Sequence, residues 1–371
     1  MLDEGDGSFD SLAGFSFLRW CPPVLDLDPG VPLPVYVGRR AELGVEEVTR
    51  RFLGRAWLGA MFVDTGFHGD RLFTPAEMGA FAGAEPREVL RLEALASEVA
   101  DSGVSAGGFA NAYRSALSKR TADPSVIAVK SIAAYRVGLD LAPERPPDSE
   151  VWAAADRWLA SGAGRLADET LHRFFIWSAA ELGMPVQFHV GYGDRDVDLH
   201  RCDPLLLTPL LRALEPTRVP VLLLHNYPFH RHAGYLAQVF PFVYADLGLA
   251  THNVGRRAVE LLGEAMELIP FSKFLFSSDA FGLPELYYLG ALWFRRGLSE
   301  FLSAGLDDGD WTDDDAERIT RLICADNPRR AYRIQQFLPI ASHGRLRRLR
   351  GISCWVVRGL WHARRRPRSA R

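Results

Sequence analysis

An α/β fold built on a parallel sheet is what this sequence of 371 residues predicts. Three observations lead there. From Arg39 onward short apolar runs alternate with amphipathic stretches of helical spacing. The runs are apolar almost throughout, as strands covered on both faces are. Several end in a polar or ionisable residue where the next loop begins.

Residues 1–40 are rich in Gly, Pro and Asp, with Cys21-Pro22-Pro23, Pro32 and Pro34, and are expected to form an extended lead-in with little regular structure. Residues 42–55 have helical spacing, and the apolar run 58–65 ends in Asp64-Thr65-Gly66. The alternation continues with a strand at 90–94, a helix at 107–119, a strand at 126–135 and helices at 149–160 and 169–182. Further buried strands are expected at 185–190, 219–225, 242–246 and 273–278, separated by helices at 204–214, 232–238 and 256–268, and Asn327-Pro328 precedes a short final helix. No linker or repeat interrupts residues 58–332. The expectation is therefore a single (β/α)8 barrel of the TIM type over 41–340, lacking its first strand, with seven strands recognised and its site at the strand exits.

The 48% hydrophobic content allows a full core, and a net charge of -3 gives no reason to expect nucleic acid as the partner. An acidic, Gly-rich start is unlike a secretory signal, no apolar stretch approaches a bilayer span, and Cys21, Cys202, Cys324 and Cys354 are scattered. A cytoplasmic protein with reduced thiols is expected. The segment 341–371 differs, being rich in Arg with Trp355 and Trp361. A solvated extension is the first expectation, and weak contact with an anionic membrane surface or with RNA the alternative.

Candidate chemistry gathers at the strand exits. Gln187 and His189 share a strand face, His225 follows Leu222-Leu223-Leu224, and Asp279 follows Phe276-Ser277-Ser278. Two imidazoles and a carboxylate suit zinc or a related divalent ion. Lys130 and Arg136 have even spacing in one run. Lys130 could ligate a metal after carbamylation, meet a substrate anion, or pair with a neighbouring carboxylate, and Arg136 could clamp a carboxylate bidentately. The stretch from Gly191 to Asp196 is a Gly-rich polar loop. Glu285 either faces the cleft or serves as a first-turn helix carboxylate, and Asp64 is equally open. The single His-x-His, His230-Arg231-His232, is expected to be exposed beyond its strand, with His232 beginning a helix. No Gly-x-Ser-x-Gly elbow is present.

The motifs Val63-Asp64-Thr65-Gly66-Phe67, Val129-Lys130-Ser131-Ile132-Ala133-Ala134-Tyr135-Arg136, Gln187-Phe188-His189-Val190-Gly191-Tyr192-Gly193-Asp194, Leu224-His225-Asn226-Tyr227-Pro228, Ser277-Ser278-Asp279-Ala280 and Asn327-Pro328-Arg329-Arg330-Ala331-Tyr332 together resemble the amidohydrolase-related, metal-dependent hydrolase family. The branch is the one fused in places to a glutamine-synthetase-like domain, and the resemblance spans about Phe9 to Tyr332. It implies a TIM barrel with a mononuclear or binuclear divalent site, zinc first and manganese or iron as alternatives, that hydrolyses amide or related C–N bonds. Some relatives decarboxylate or isomerise.

On the same basis His189 resembles the strand-five ligand, His225 the strand-six histidine that binds metal or substrate, and Asp279 the strand-eight ligand and general base. Lys130 and Arg136 match the strand-four motif, and with Gln187 and Glu285 are expected to bind substrate. The family's first strand carries a His-x-His, and none occurs before Asp64 here. Two expectations follow: a true start upstream of Met1, or a degenerate member with a weakened metal site. The function expected is hydrolysis of a small carboxylate-bearing substrate. The rivals are a non-catalytic barrel that binds a small acid and a decarboxylase, and a homo-oligomer is an open alternative.

Overall fold

A computed structural model of the chain describes residues 9–66 and 72–334. Six strands form one sheet: β1 (Ala60–Asp64), β2 (Glu85–Arg91), β3 (Val126–Ser131), β4 (Val186–His189), β5 (Val221–Leu224) and β6 (Val243–Ala245). All neighbours are parallel and consecutive, with a register shift at Glu88/Val89. Parallel neighbours that follow each other in sequence require a crossover after every strand. Helices α3 (Pro75–Ala82), α4 (Leu92–Asp101), α5 (Ala106–Thr121), α6 (Asp148–Ala160), α7 (Glu169–Glu181), α8 (Thr208–Leu214) and α9 (His230–Val239) supply most of them. Their starts are written locally: Thr74 and Glu77 form a reciprocal capping box at α3, and Asp168 caps α7.

The strands divide into two faces. Leu90, Val129, Val186, Phe188, Val221, Leu223, Val243 and Ala245 pack outward into the large core shared with the helices. Val89, Ala128, Leu222 and Leu224 point inward, where Leu275, Phe62 and Tyr244 join them and Ala331 and Tyr332 complete the cluster. This is the layered filling of a barrel interior. The curvature is shown by Lys130 on β3, which reaches both the end of β1 and a residue beyond β6: its Nζ is 3.3 Å from Asp64 and 3.9 Å from Asp279.

Four expectations are corrected. The lead-in is helical, with α1 (Leu12–Trp20), a 3-10 turn at Pro22–Leu25 and α2 (Leu33–Ala56), which breaks at Gly44 where φ is 76°. Its Gly and Pro content reflects caps and turns. The expected strand 273–278 is reduced to a bridge between Ala245 and Phe274. The strand expected at 90–94 runs instead over Glu85–Arg91, and α4 begins at Leu92. The strand expected at 126–135 ends at Ser131, followed by a 3-10 turn at Ala133–Tyr135, so the even spacing that placed Arg136 beside Lys130 does not hold. The segment 341–371 lies outside the described residues. Among the described residues no helix is long and apolar enough to cross a membrane.

Beyond the bridge come α10 (Ala250–Asn253), α11 (Ala258–Met266), α12 (Pro284–Asp308), α13 (Asp313–Arg321) and α14 (Asn327–Ala331). Helices α2 and α12 pack together, and Leu53 of α2 and Tyr287 of α12 share an apolar cluster with Met61 of β1. Glu285 is the joint between them. It is fully buried, accepts from Tyr36 Oη at 2.8 Å and from Arg40 Nε at 2.7 Å, and does not face the cleft. Glu285→Ala strands a buried phenol and a half-buried guanidinium. We expect a loss of about 2–4 kcal/mol in chemical unfolding, with ligand affinity of the folded protein unchanged.

Candidate active site at the strand exits

Each strand exit delivers one polar side chain to the same end of the barrel. At the end of β1, Asp64 is gripped by Arg91, whose Nε lies 3.1 and 3.2 Å from the two carboxylate oxygens, and by Lys130, and it accepts from the Gly66 N–H at 3.0 Å. Burial alone would raise its carboxyl, but the two cations outweigh that and hold it at about 2.

Lys130 is 7% exposed, on the inward face of β3. Behind it, Glu93 accepts from Ser131 Oγ and from the Ile132 N–H, both at 2.9 Å, and lies 3.2 Å from His172 Nδ1. All three of these contacts are to Glu93 Oε1, and they fix the turn that follows Lys130.

His189 ends β4 pointing inward, as its pairing with Gln187 on one face predicts. Gln187 itself donates to Tyr332 Oη at 2.7 Å, one pleat below, in the apolar layer rather than among the site residues. His225 reaches the site by a different device. Leu222 and Leu224 point inward, so simple alternation would turn the next side chain out. The backbone instead enters the left-handed region at His225 (φ 74°) and Asn226 (φ 57°). Asp246 holds that turn, accepting from the His225 N–H at 2.7 Å, and Asn226 donates to the carbonyls of Leu223 and Asp246 at 2.6 and 2.9 Å. Gly248 is required beside it, because a Cβ there would collide with the His225 ring.

Asp279, with φ 45°, is 32% exposed at its side chain and lies 3.3 Å from His225 Nε2 through Oδ2. The His189 and His225 rings are 4.8 Å apart, and Tyr135 covers His189 at 4.4 Å. Burial, reinforced by neighbouring charge, pushes both imidazoles well below their ordinary range, so they are neutral near pH 7.

Besides Arg91, two buried residues were missed by the sequence reading. Asp246, 2% exposed, is pushed up to about 7 by burial against the opposing pull of the His225 N–H. His252 on α10, 3% exposed, is lowered to about 4, again by burial first. The apolar run 242–246 ending in an acid was the available signal for Asp246; nothing local marked His252. Arg136 is half-buried at the same end of the barrel; its backbone N–H donates to the Ala133 carbonyl, and no hydrogen bond or ion pair engages its side chain among the described residues. His230 is buried against Glu264 at 3.0 Å rather than exposed, whereas His232 is exposed and meets Asp203. The His-x-His thus makes two separate contacts with acids, one buried and one exposed.

The donor set suits a divalent ion. His189 Nε2, both ring nitrogens of His225 and His252 Nδ1 are buried without hydrogen-bond partners, a state that buried polar groups rarely keep. The 3.3 Å between His225 Nε2 and Asp279 Oδ2 matches the roughly 3.3 Å that two ligands of one tetrahedral ion keep. Among the described residues no group of three or more His, Cys, Asp or Glu side chains converges closely enough to hold an ion by itself.

Two outcomes test this construction. Asp246 binds its proton more tightly folded than unfolded, so between about pH 4 and pH 7 deprotonation favours unfolding and stability falls as pH rises. Asp246→Asn, permanently neutral, is expected to stabilise the metal-free protein at pH 8 by on the order of 1–3 kcal/mol, with the gain vanishing below pH 4. Gly248→Ala is expected to displace His225 and, in a chelator-competition titration, weaken zinc binding by about tenfold or more.

The family model described as Amidohydrolase matches residues 82–334. Protein fluG of Emericella nidulans is 30% identical over 293 residues, which cover 71% of this chain and 34% of that protein, so the chain spans about a third of its relative. A crystal structure from Lactobacillus casei, named a "putative metal-dependent hydrolase", superposes with a TM-score of 0.77 at 30% identity, covering 87% of this chain and 85% of the other. A uronate isomerase from Bacillus halodurans shares the fold alone, with a TM-score of 0.57 at 18% identity over 87% of this chain and 76% of that one. With the family model spanning most of the chain and the inward residues arranged as above, the chain belongs to the amidohydrolase family.

Proposed function

We propose that the protein is a divalent-metal-dependent hydrolase of C–N bonds, amide or related, in a small carboxylate-bearing substrate. The observation that carries this is the pair of buried, neutral imidazoles beside Asp279, with Nε2 of His189 and both ring nitrogens of His225 making no hydrogen bond. His189, His225 and Asp279 would contribute ligands to the ion, zinc first and manganese or iron as alternatives, with further ligands needed to complete its shell, and it would supply Lewis acidity toward water and the scissile carbonyl.

The chain's own groups divide the remaining work. Asp279 is the accessible carboxylate of the cluster and takes the proton of the attacking water. His225, neutral and buried, stabilises the charge developing on the carbonyl oxygen. Arg136, whose guanidinium makes no hydrogen bond or ion pair among the described residues, receives the substrate carboxylate. Lys130 is already met by Asp64 and Asp279, so we do not assign it to substrate. Nor do we assign Gln187 and Glu285 to it, given their bonds to Tyr332 and to Tyr36 and Arg40. A cytoplasmic setting accords with Cys21, Cys202 and Cys324 being free thiols.

A second reading, a barrel that binds a small acid without turnover, is favoured by the absence of a three-ligand group among the described residues. Elemental analysis and turnover separate the two. With N-acyl amino acids as substrates, Asp279→Asn is expected to lower kcat by about a thousandfold with KM little changed. Full activity in chelator-washed protein, or none with any divalent ion restored, would sink the hydrolase.

A further inference from the structure

We propose that Lys130 is the resident counter-cation of this centre: it neutralises Asp279 in the metal-free protein and competes with a divalent ion for that carboxylate, and it is not a ligand. The inference rests on the metal-dependent reading of the site.

Lys130 is buried beside carboxylates, 7% exposed, and its Nζ lies 3.3 Å from Asp64 Oδ2 and 3.9 Å from Asp279 Oδ1. Asp64 cannot neutralise it alone, because the Arg91 guanidinium already holds both Asp64 oxygens. Lys130 therefore draws on Asp279, whose two oxygens are divided: Oδ1 faces the ammonium and Oδ2 faces His225. Two cations, Arg91 and Lys130, thus face the carboxylates of Asp64 and Asp279 directly, and the ammonium already stands where a dication's charge would be needed.

Two consequences separate this from ligation by a carbamate. Forming one would join Nζ to the carbon of carbon dioxide and release protons, turning a cation into an anion beside Asp64 and Asp279. Three anions would then face Arg91 alone. Conversely, a dication on Oδ2 of Asp279 would sit a few ångströms from the ammonium on Oδ1, where like charges repel strongly in a partly dry site. Removing the ammonium must strengthen metal binding; if Lys130 were a ligand, removing it must weaken binding.

The experiment is zinc affinity by competition with a chromophoric chelator on the chelator-washed full chain, for wild type, Lys130→Met and His189→Ala, each with and without bicarbonate. Lys130→Met is expected to bind zinc tenfold or more tighter than wild type, His189→Ala weaker, and wild type equally with or without bicarbonate. Weaker or unchanged binding by Lys130→Met, or tightening of wild type by bicarbonate, overturns the proposal while leaving the metal site standing. Zinc binding by neither wild type nor Lys130→Met would refute the metal-dependent reading and this inference with it. Should Lys130→Met fail to fold, the bicarbonate comparison on wild type decides: independence supports the counter-cation, dependence overturns it.

Discussion

A buried ammonium has to be neutralised, and in this barrel that requirement binds the two ends of the sheet to its middle. Asp64 closes β1, Asp279 lies past the last bridge, and both approach Lys130 on β3. The ladder itself does not join these ends. What holds the curvature is the pairing of charges inside and the packing of α2 on α12 outside, with Glu285 as its buried joint. Breaking such a charge pair by removing one member costs far more than the pair contributes over apolar neighbours. The arrangement thus specifies where the strand ends meet more than it stabilises the fold.

The second constraint is backbone geometry at the exits. A period-two strand can present His189 inward but cannot present His225 after Leu222 and Leu224. The positive φ at His225, Asn226 and Asp279 re-aims those side chains, at a cost that local hydrogen bonds must offset. Asp246 supplies the bond for His225, and its own burial is what pushes its carboxyl up. A carboxyl held near neutrality in this way is a support, one step removed from the residues that meet a substrate.

How much of this was legible follows from which residues obey simple periodicity. The buried strands at 185–190, 219–225 and 242–246 could be read because their apolar runs are uninterrupted, and the six strands found all overlap or adjoin runs that the sequence marks. The seventh, expected at 273–278, was over-read, since only Phe274 forms a bridge there. The helical start was hidden by Pro and Gly that cap and break helices there. In the site, His189, His225 and Asp279 stood out as polar exits, whereas the roles given to Gln187 and Glu285 rested on proximity in sequence. Gln187 is one pleat too deep, and Glu285 is claimed by a helix more than two hundred residues earlier. His252 could not be found by pattern, because only the tertiary fold brings it beside Asp279.

The depth of Gln187 also locates the boundary between the two halves of the barrel. Below it, Tyr332, Leu222, Leu275 and Val89 form an apolar plug with one internal hydrogen bond. Above it, each inward position is ionisable: Asp64, Lys130, His189, His225, Asp246 and Asp279. An apolar floor excludes water from one side of the charged layer and lowers the dielectric under it. The imidazoles therefore lose their protons and the carboxylates need cations. A site so placed can change its charges at the open end while the plug and the helical jacket carry the stability, and this division is why reassigning Gln187 from substrate to floor strengthens the case for the residues above it.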